Sequence, residues 1–142
     1  GIADNERIGV MGHSFGGYTT ISLLSQSNRF QAGVMVAGFG NIFGLYGAMR
    51  DDGEAFNVQW WERGPHGFGD SPWKMRDKYL ENSPVFNLDK VKTPLLIVHG
   101  AKDVSTPPFL ADEIFVGLRR LEREVLYAKY ENEGHNPAQW GY

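Results

Sequence analysis

Four short stretches of the chain are apolar, each bounded by glycine or polar residues. Arg7 to Gly12 ("RIGVMG"), Phe30 to Gly38 ("FQAGVMVAG") and Thr93 to Gly100 ("TPLLIVHG") run apolar with little alternation. That is the pattern of strands buried on both faces. Pro94 stands at the first position of the third run, where a lost amide donor does little harm. Glu124 to Tyr130 ("EVLYAKY") alternates more, which predicts a strand nearer a sheet edge. Between the first two runs, Gly17 to Ser27 has apolar residues at Tyr18, Ile21 and Leu24, one face of a helix, and Ser27-Asn28 supplies a stop. Between the last two comes "STPPFLADEIFVGLRRLE". Here Ser105 or Thr106 is the expected cap, Pro107 or Pro108 occupies the first turn, and Leu110, Ile114, Phe115 and Leu118 form the buried stripe. Strands separated by helical stretches predict an α/β domain, a mostly parallel sheet with helices on its faces.

The segment from Phe39 to Asn87 breaks this rhythm, mixing glycine, proline and aromatic residues with room for only short helices. A long excursion between two strands is commonly a functional loop or a cap over a site. Its aromatics Phe43, Tyr46, Phe56, Trp60, Trp61, Phe68 and Trp73 suit either an apolar substrate pocket or a small core of the excursion itself. The core is the expected place for most of them.

The loops that follow the strands carry the chemistry, because functional groups of an open parallel sheet gather beyond its C-terminal strand ends. Gly12-His13-Ser14-Phe15-Gly16 fits G-x-S-x-G, a sharp strand-to-helix turn that pushes a serine hydroxyl into a cleft. Gly12 and Gly16 are expected to permit that turn and the close helix packing behind it. "HGAKD" after the third strand ends in Asp103, and "ENEGH" after the fourth ends in His135. A serine, a carboxylate and a histidine thus emerge on one edge, in the chain order of α/β-hydrolases. A serine hydroxyl needs an imidazole to accept its proton during attack. The imidazole needs a buried carboxylate on its other nitrogen to fix its tautomer. Phe15, opening the helix, offers a backbone N–H to a developing oxyanion. Asp112, Glu131 and Glu133 are rivals for the acid position. His99 reads as a structural residue at its strand end, His13 as part of the turn, and His66 as a loop residue. A metal site from His99, Asp103 and His135 has no supporting ligand spacing, so no metal and no cofactor are expected.

Composition narrows the partners. The 142 residues carry a formal charge of −3 with both signs interleaved. Without a basic stripe, neither nucleic acid nor an anionic membrane surface is an expected partner. No stretch approaches the length of a transmembrane helix. The absence of cysteine excludes disulfides and a thiolate nucleophile but leaves the compartment open. The opening "GIADNER" has no apolar signal core and no initiator methionine, and a strand follows almost at once. A piece of a longer protein is therefore expected, and localisation is not fixed.

"GHSFGGY", then "TPLLIVHGAKD…P", then "EGH" together resemble the prolyl oligopeptidase family of serine peptidases, which includes acylaminoacyl and dipeptidyl peptidases. The resemblance spans essentially the whole chain. It implies Ser14 as nucleophile, Asp103 as acid, His135 as base, and the Phe15 amide as an oxyanion donor. It also implies an α/β-hydrolase fold that is partial here, with residues 1–142 as the C-terminal part of a catalytic domain and 39–87 as a cap-like excursion. Family members carry leading strands that supply a second oxyanion donor, a final helix, and in most cases an N-terminal propeller, none of which is expected within residues 1–142. An open sheet edge would then let copies of the chain associate. Thr106 departs from the pattern, standing where the family usually has an aliphatic residue. Aromatics near the position of Trp60 and Trp61 line the family's specificity pocket. The implied activity is cleavage of peptide bonds in short peptides through an acyl-enzyme. The alternatives are a carboxylesterase acting on small esters and a catalytically silent fragment.

Overall fold

A computed structural model describes residues 4–137. Strand β1 (Gly9–His13) turns at Ser14 into helix α1 (Phe15–Gln26), and the chain returns as β2 (Ala32–Val36). The excursion then forms α2 (Ile42–Tyr46), α3 (Phe56–Arg63), α4 (Arg76–Glu81) and a 3-10 helix over Pro84–Lys90. Strand β3 (Leu95–Gly100), helix α5 (Phe109–Arg120) and strand β4 (Val125–Tyr130) complete the described elements. The strands pair in the order β1-β2-β3-β4, all parallel, so β1 and β4 form the two edges of the described sheet. All four C-terminal strand ends therefore face one way.

Register fixes which side chains share a face. Val10, Gly33, Leu95 and Val125 line up across the sheet, as do Gly12, Met35, Ile97 and Tyr127. This face meets Ile21 and Leu24 of α1 and Ala111, Ile114 and Leu118 of α5, together with Leu88 and Val91, in one buried cluster. Each such aliphatic side chain contributes roughly 1.5–3 kcal/mol by leaving water. Both helices that pack on the sheet thus lie on the same face. On the other face Met11, Val34, Leu96 and Leu126 form a row in register. Its outer members Met11 and Leu126 are 74% and 70% exposed.

Two helix starts differ from the sequence pattern. Helix α1 begins at Phe15, two residues earlier than its apolar face suggests, because Ser14 redirects the chain at once with φ 58°. Helix α5 begins at Phe109 after Pro108, with no side-chain cap. Neither Ser105 nor Thr106 caps it. Both backbone amides donate instead to Asp103 Oδ1, and the Thr106 hydroxyl faces Asp103 Oδ2 and the Ala37 carbonyl. The expected stripe of α5 is buried at Leu110, Ile114 and Leu118, with Phe115 only partly covered. A second cluster joins Phe39, Ile42, Leu45, Tyr46, Trp61 and Tyr79 to Leu110, fastening the excursion to the start of α5.

Candidate active site

The turn after β1 is strained and held. Ser14 lies at φ 58°, ψ −119°, a conformation that costs a non-glycine residue on the order of 1–3 kcal/mol. Its N–H donates to Val36 O at 2.9 Å, and its carbonyl accepts from Tyr18 N at 3.1 Å, the first hydrogen bond of α1. The turn brings the Gly16 backbone so close to Gly12 that a Cβ on Gly12 would lie 2.1 Å from Gly16 O. Gly12 therefore has to be glycine. A Cβ on Gly16 would meet nothing described within 4 Å, so the expectation that Gly16 must lack a side chain for packing is not met. The Phe15 N–H stands in the first turn of α1, where no intrahelical acceptor exists.

The three loops converge. His135 Nε2 lies 2.8 Å from Ser14 Oγ, and His135 Nδ1 lies 2.9 Å from Asp103 Oδ2 and 3.1 Å from Oδ1. With Asp103 ionised, Nδ1 carries the proton and Nε2 is free to accept from the serine hydroxyl. Ser14, Asp103 and His135, named from the sequence, thus form one hydrogen-bonded chain across the ends of β1, β3 and β4. The rivals for the acid place lie elsewhere: Asp112 pairs with Lys129 and Glu131 is exposed. Glu133 is buried beside His135 with contacts of its own.

Asp103 is 3% exposed. Burial alone pushes its carboxyl pKa up, but hydrogen bonds from His135, His99 and Thr106 outweigh burial and hold it well below the usual carboxylate range. Oδ1 accepts from the N–H groups of Ser105 and Thr106 at 2.9 Å each, and Oδ2 accepts from Thr106 Oγ1 at 2.7 Å. His99 Nε2 reaches the Thr106 carbonyl at 2.7 Å and Asp103 Oδ2 at 3.2 Å. A carbonyl only accepts, so the His99 proton sits on Nε2. His13 does more than shape the turn. Its Nε2 donates to the His135 carbonyl at 2.7 Å, tying the histidine loop to the end of β1. Gly100 closes the assembly from below, since a Cβ there would lie 2.2 Å from Gly134 O.

A cavity of about 260 Å³ opens beside Ser14 and His135. Phe15, Phe39, Leu45, Phe56, Trp60 and Trp61 give it apolar walls, and Asn57 adds an amide. Both tryptophans expected at a pocket line it, although Trp61 is also a buried member of the excursion's core. Tyr46 belongs to that core and Phe68 packs against it, whereas Phe43 and Trp73 line a separate cleft. His66, expected as a loop residue, stacks on Phe15 with ring centroids 4.6 Å apart. Phe39, Leu45 and Asn57 went unnoticed in the sequence. For Phe39 a signal existed, because it stands just beyond the C-terminal end of β2. Asn57, 7% exposed, gives none.

The sequence matches the prolyl oligopeptidase family over residues 1–141. The chain belongs to that family. It is similar to "Uncharacterized peptidase YuxL" of Bacillus subtilis, 32% identical over 98% of this chain and 20% of the relative. "Dipeptidyl aminopeptidase BIII" of Pseudoxanthomonas mexicana is 30% identical over 98% of this chain and 20% of that protein. Among solved structures, the acylaminoacyl peptidase of Pyrococcus horikoshii superposes with a TM-score of 0.82 at 30% identity, covering 94% of this chain and 21% of that one. The fold is therefore that of the α/β-hydrolase peptidases, and the chain spans about a fifth of the length of these relatives.

Proposed function

We propose that the chain carries the catalytic centre of a serine peptidase that cleaves short peptides through an acyl-enzyme. The observation that carries this reading is the relay from Asp103 through His135 to Ser14, with links of 2.9 and 2.8 Å. In the first half-reaction Ser14 Oγ bonds to the scissile carbonyl carbon while its proton passes to His135 Nε2. Asp103 holds the resulting imidazolium in place. The Phe15 N–H, in the first turn of α1, donates to the oxyanion in this reading, with the helix dipole behind it. The carbon–nitrogen bond then breaks, the leaving amine takes the proton from His135, and the acyl group stays on Ser14. Water repeats the sequence in the second half-reaction and frees the acid and the serine.

The cavity beside Ser14 is below the size range of pockets for drug-like ligands and suits a single apolar side chain. Phe39, Phe56 and Trp60 line it, so residues 39–87 serve as the wall that selects that side chain. Relatives named as peptidases favour peptides over the small esters that the same three groups would also hydrolyse.

Labelling tests the central claim. In the full-length protein a fluorophosphonate probe is expected to attach to Ser14. Ser14→Ala is expected to lose the label and to lower kcat by several orders of magnitude, as removal of a triad member does in other enzymes. Labelling that survives in Ser14→Ala would refute the assignment.

A further inference from the structure

The Thr106 side chain has no part in the reaction as described, yet it stands where three loops meet. Its hydroxyl oxygen lies 2.7 Å from Asp103 Oδ2, 2.9 Å from the Ala37 carbonyl beyond β2, and 3.3 Å from His135 Nδ1. A hydroxyl has one proton to give, and two acceptors compete for it. The shorter contact is to the ionised oxygen, and a hydrogen bond to a charged acceptor is about twice as strong as one to a neutral carbonyl. The proton therefore belongs to Asp103. Nothing else can swing the group aside. Threonine is stiff at χ1, and its own N–H is fixed on Asp103 Oδ1. The residue is 4% exposed, so water does not substitute for the hydroxyl.

We propose that Thr106 is a positioning residue for the reaction. Its hydroxyl shares Asp103 Oδ2 with His135 Nδ1 and so moderates the pull of the carboxylate on the imidazole. This rests on the reading of Ser14, His135 and Asp103 given above. Oδ2 is the carboxylate oxygen nearer the histidine, at 2.9 Å, so a donor on Oδ2 acts on that bond directly. With the hydroxyl removed, Oδ2 carries more negative charge, the imidazolium is favoured, and the base remains protonated to a higher pH. The other titratable groups around the pair stay unchanged. His99 reaches Oδ2 from the end of β3, His13 holds the His135 carbonyl from β1, and Glu133 is buried on the turn before His135.

The test compares Thr106→Val, which keeps the shape without the hydroxyl, with Thr106→Ser, which keeps the hydroxyl, both in the full-length protein. In Thr106→Val the acid limb of the pH profile of kcat/KM is expected to move up by roughly half a unit, about a threefold change in the protonation equilibrium. Thr106→Ser is expected to restore the wild-type limb. Thr106→Ala carries the same expectation should the valine variant not fold. Proton NMR gives a second readout that needs no turnover. The His135 Nδ1–H resonance, assigned by its loss in His135→Gln, is expected to move downfield in Thr106→Val as its bond to Oδ2 tightens. An unmoved resonance and limb, with a lower melting temperature alone, would overturn the proposal and leave the hydroxyl as a prop for the Ala37 carbonyl. A resonance that moves while Ser14→Ala still labels would instead fault the assignment of the nucleophile.

Discussion

A carboxylate closed off from water stays ionised only if donors replace the water it has lost. Asp103 is supplied by two loop N–H groups, two imidazoles and one hydroxyl. All but His135 come from β3 or the loop that follows it, so the acid is organised largely by its own neighbourhood before the histidine arrives. This has a consequence for stability that is separate from catalysis. The folded-state pKa of Asp103 is lowered, and the sign follows from that. The group contributes stability that is fully present above the unfolded-state value of about 3.9. That contribution is lost as pH falls from there toward the folded value. Unfolding free energy measured in urea is therefore expected to fall below about pH 4 more steeply in the wild type than in Asp103→Asn, which has no carboxylate to protonate. Parallel slopes for the two proteins would mean that Asp103 is not held below its usual range.

At the scale of elements, strands and turns were legible in the sequence and tertiary pockets were not. The runs around Gly9–His13, Ala32–Val36, Leu95–Gly100 and Val125–Tyr130 could be read because parallel strands have a local apolar signature, but the expected burial on both faces is not met at β1, where Met11 is 74% exposed. Ser14, Asp103 and His135 could be placed because each lies one short loop beyond such a strand. The start of α5 differs from its pattern, since Ser105 and Thr106 look like caps but lie in a turn whose N–H groups donate to Asp103. The pocket wall was only half legible, because Asn57 and Leu45 reach it through the fold of the excursion, which has no repeating pattern. Helix α3 shows how one element divides its work. Trp60 is partly exposed at the cavity, whereas Trp61 is both cavity wall and core, packing near Phe39 and Phe68. Trp60→Ala is expected to reorder peptide substrates by the side chain preceding the cleaved bond, at little cost in stability. Trp61→Ala is expected to cost roughly 3–5 kcal/mol of stability, measured by denaturant unfolding. If Trp60→Ala lost stability without changing the substrate ranking, the wall would be core alone.

The whole molecule has an uneven sheet. One face is covered by α1 and α5, while the other presents Met11, Val34, Leu96 and Leu126 in one row, with Val36, Val98 and Ala128 in the next. The middle of that face is half-buried and its margins are open. An apolar surface of this kind drives association whenever a second surface is offered. Among the described residues strand β1 also stands at a sheet edge beside it, whose outward N–H and C=O groups form a template for another strand. Together these features predict that the 142-residue polypeptide, produced on its own, self-associates through the Met11–Leu126 face and the β1 edge. Charge offers little resistance, because a net −3 is a weak repulsion between copies and is screened beyond about 8 Å at physiological salt. Light scattering on a dilute sample is expected to show oligomers, and the double substitution Met11→Lys with Leu126→Lys is expected to shift the population toward monomer. Those two side chains point away from the covered core, so the fold should tolerate the charges. A stable monomer of the unsubstituted polypeptide at the same dilution would show that this face needs no cover.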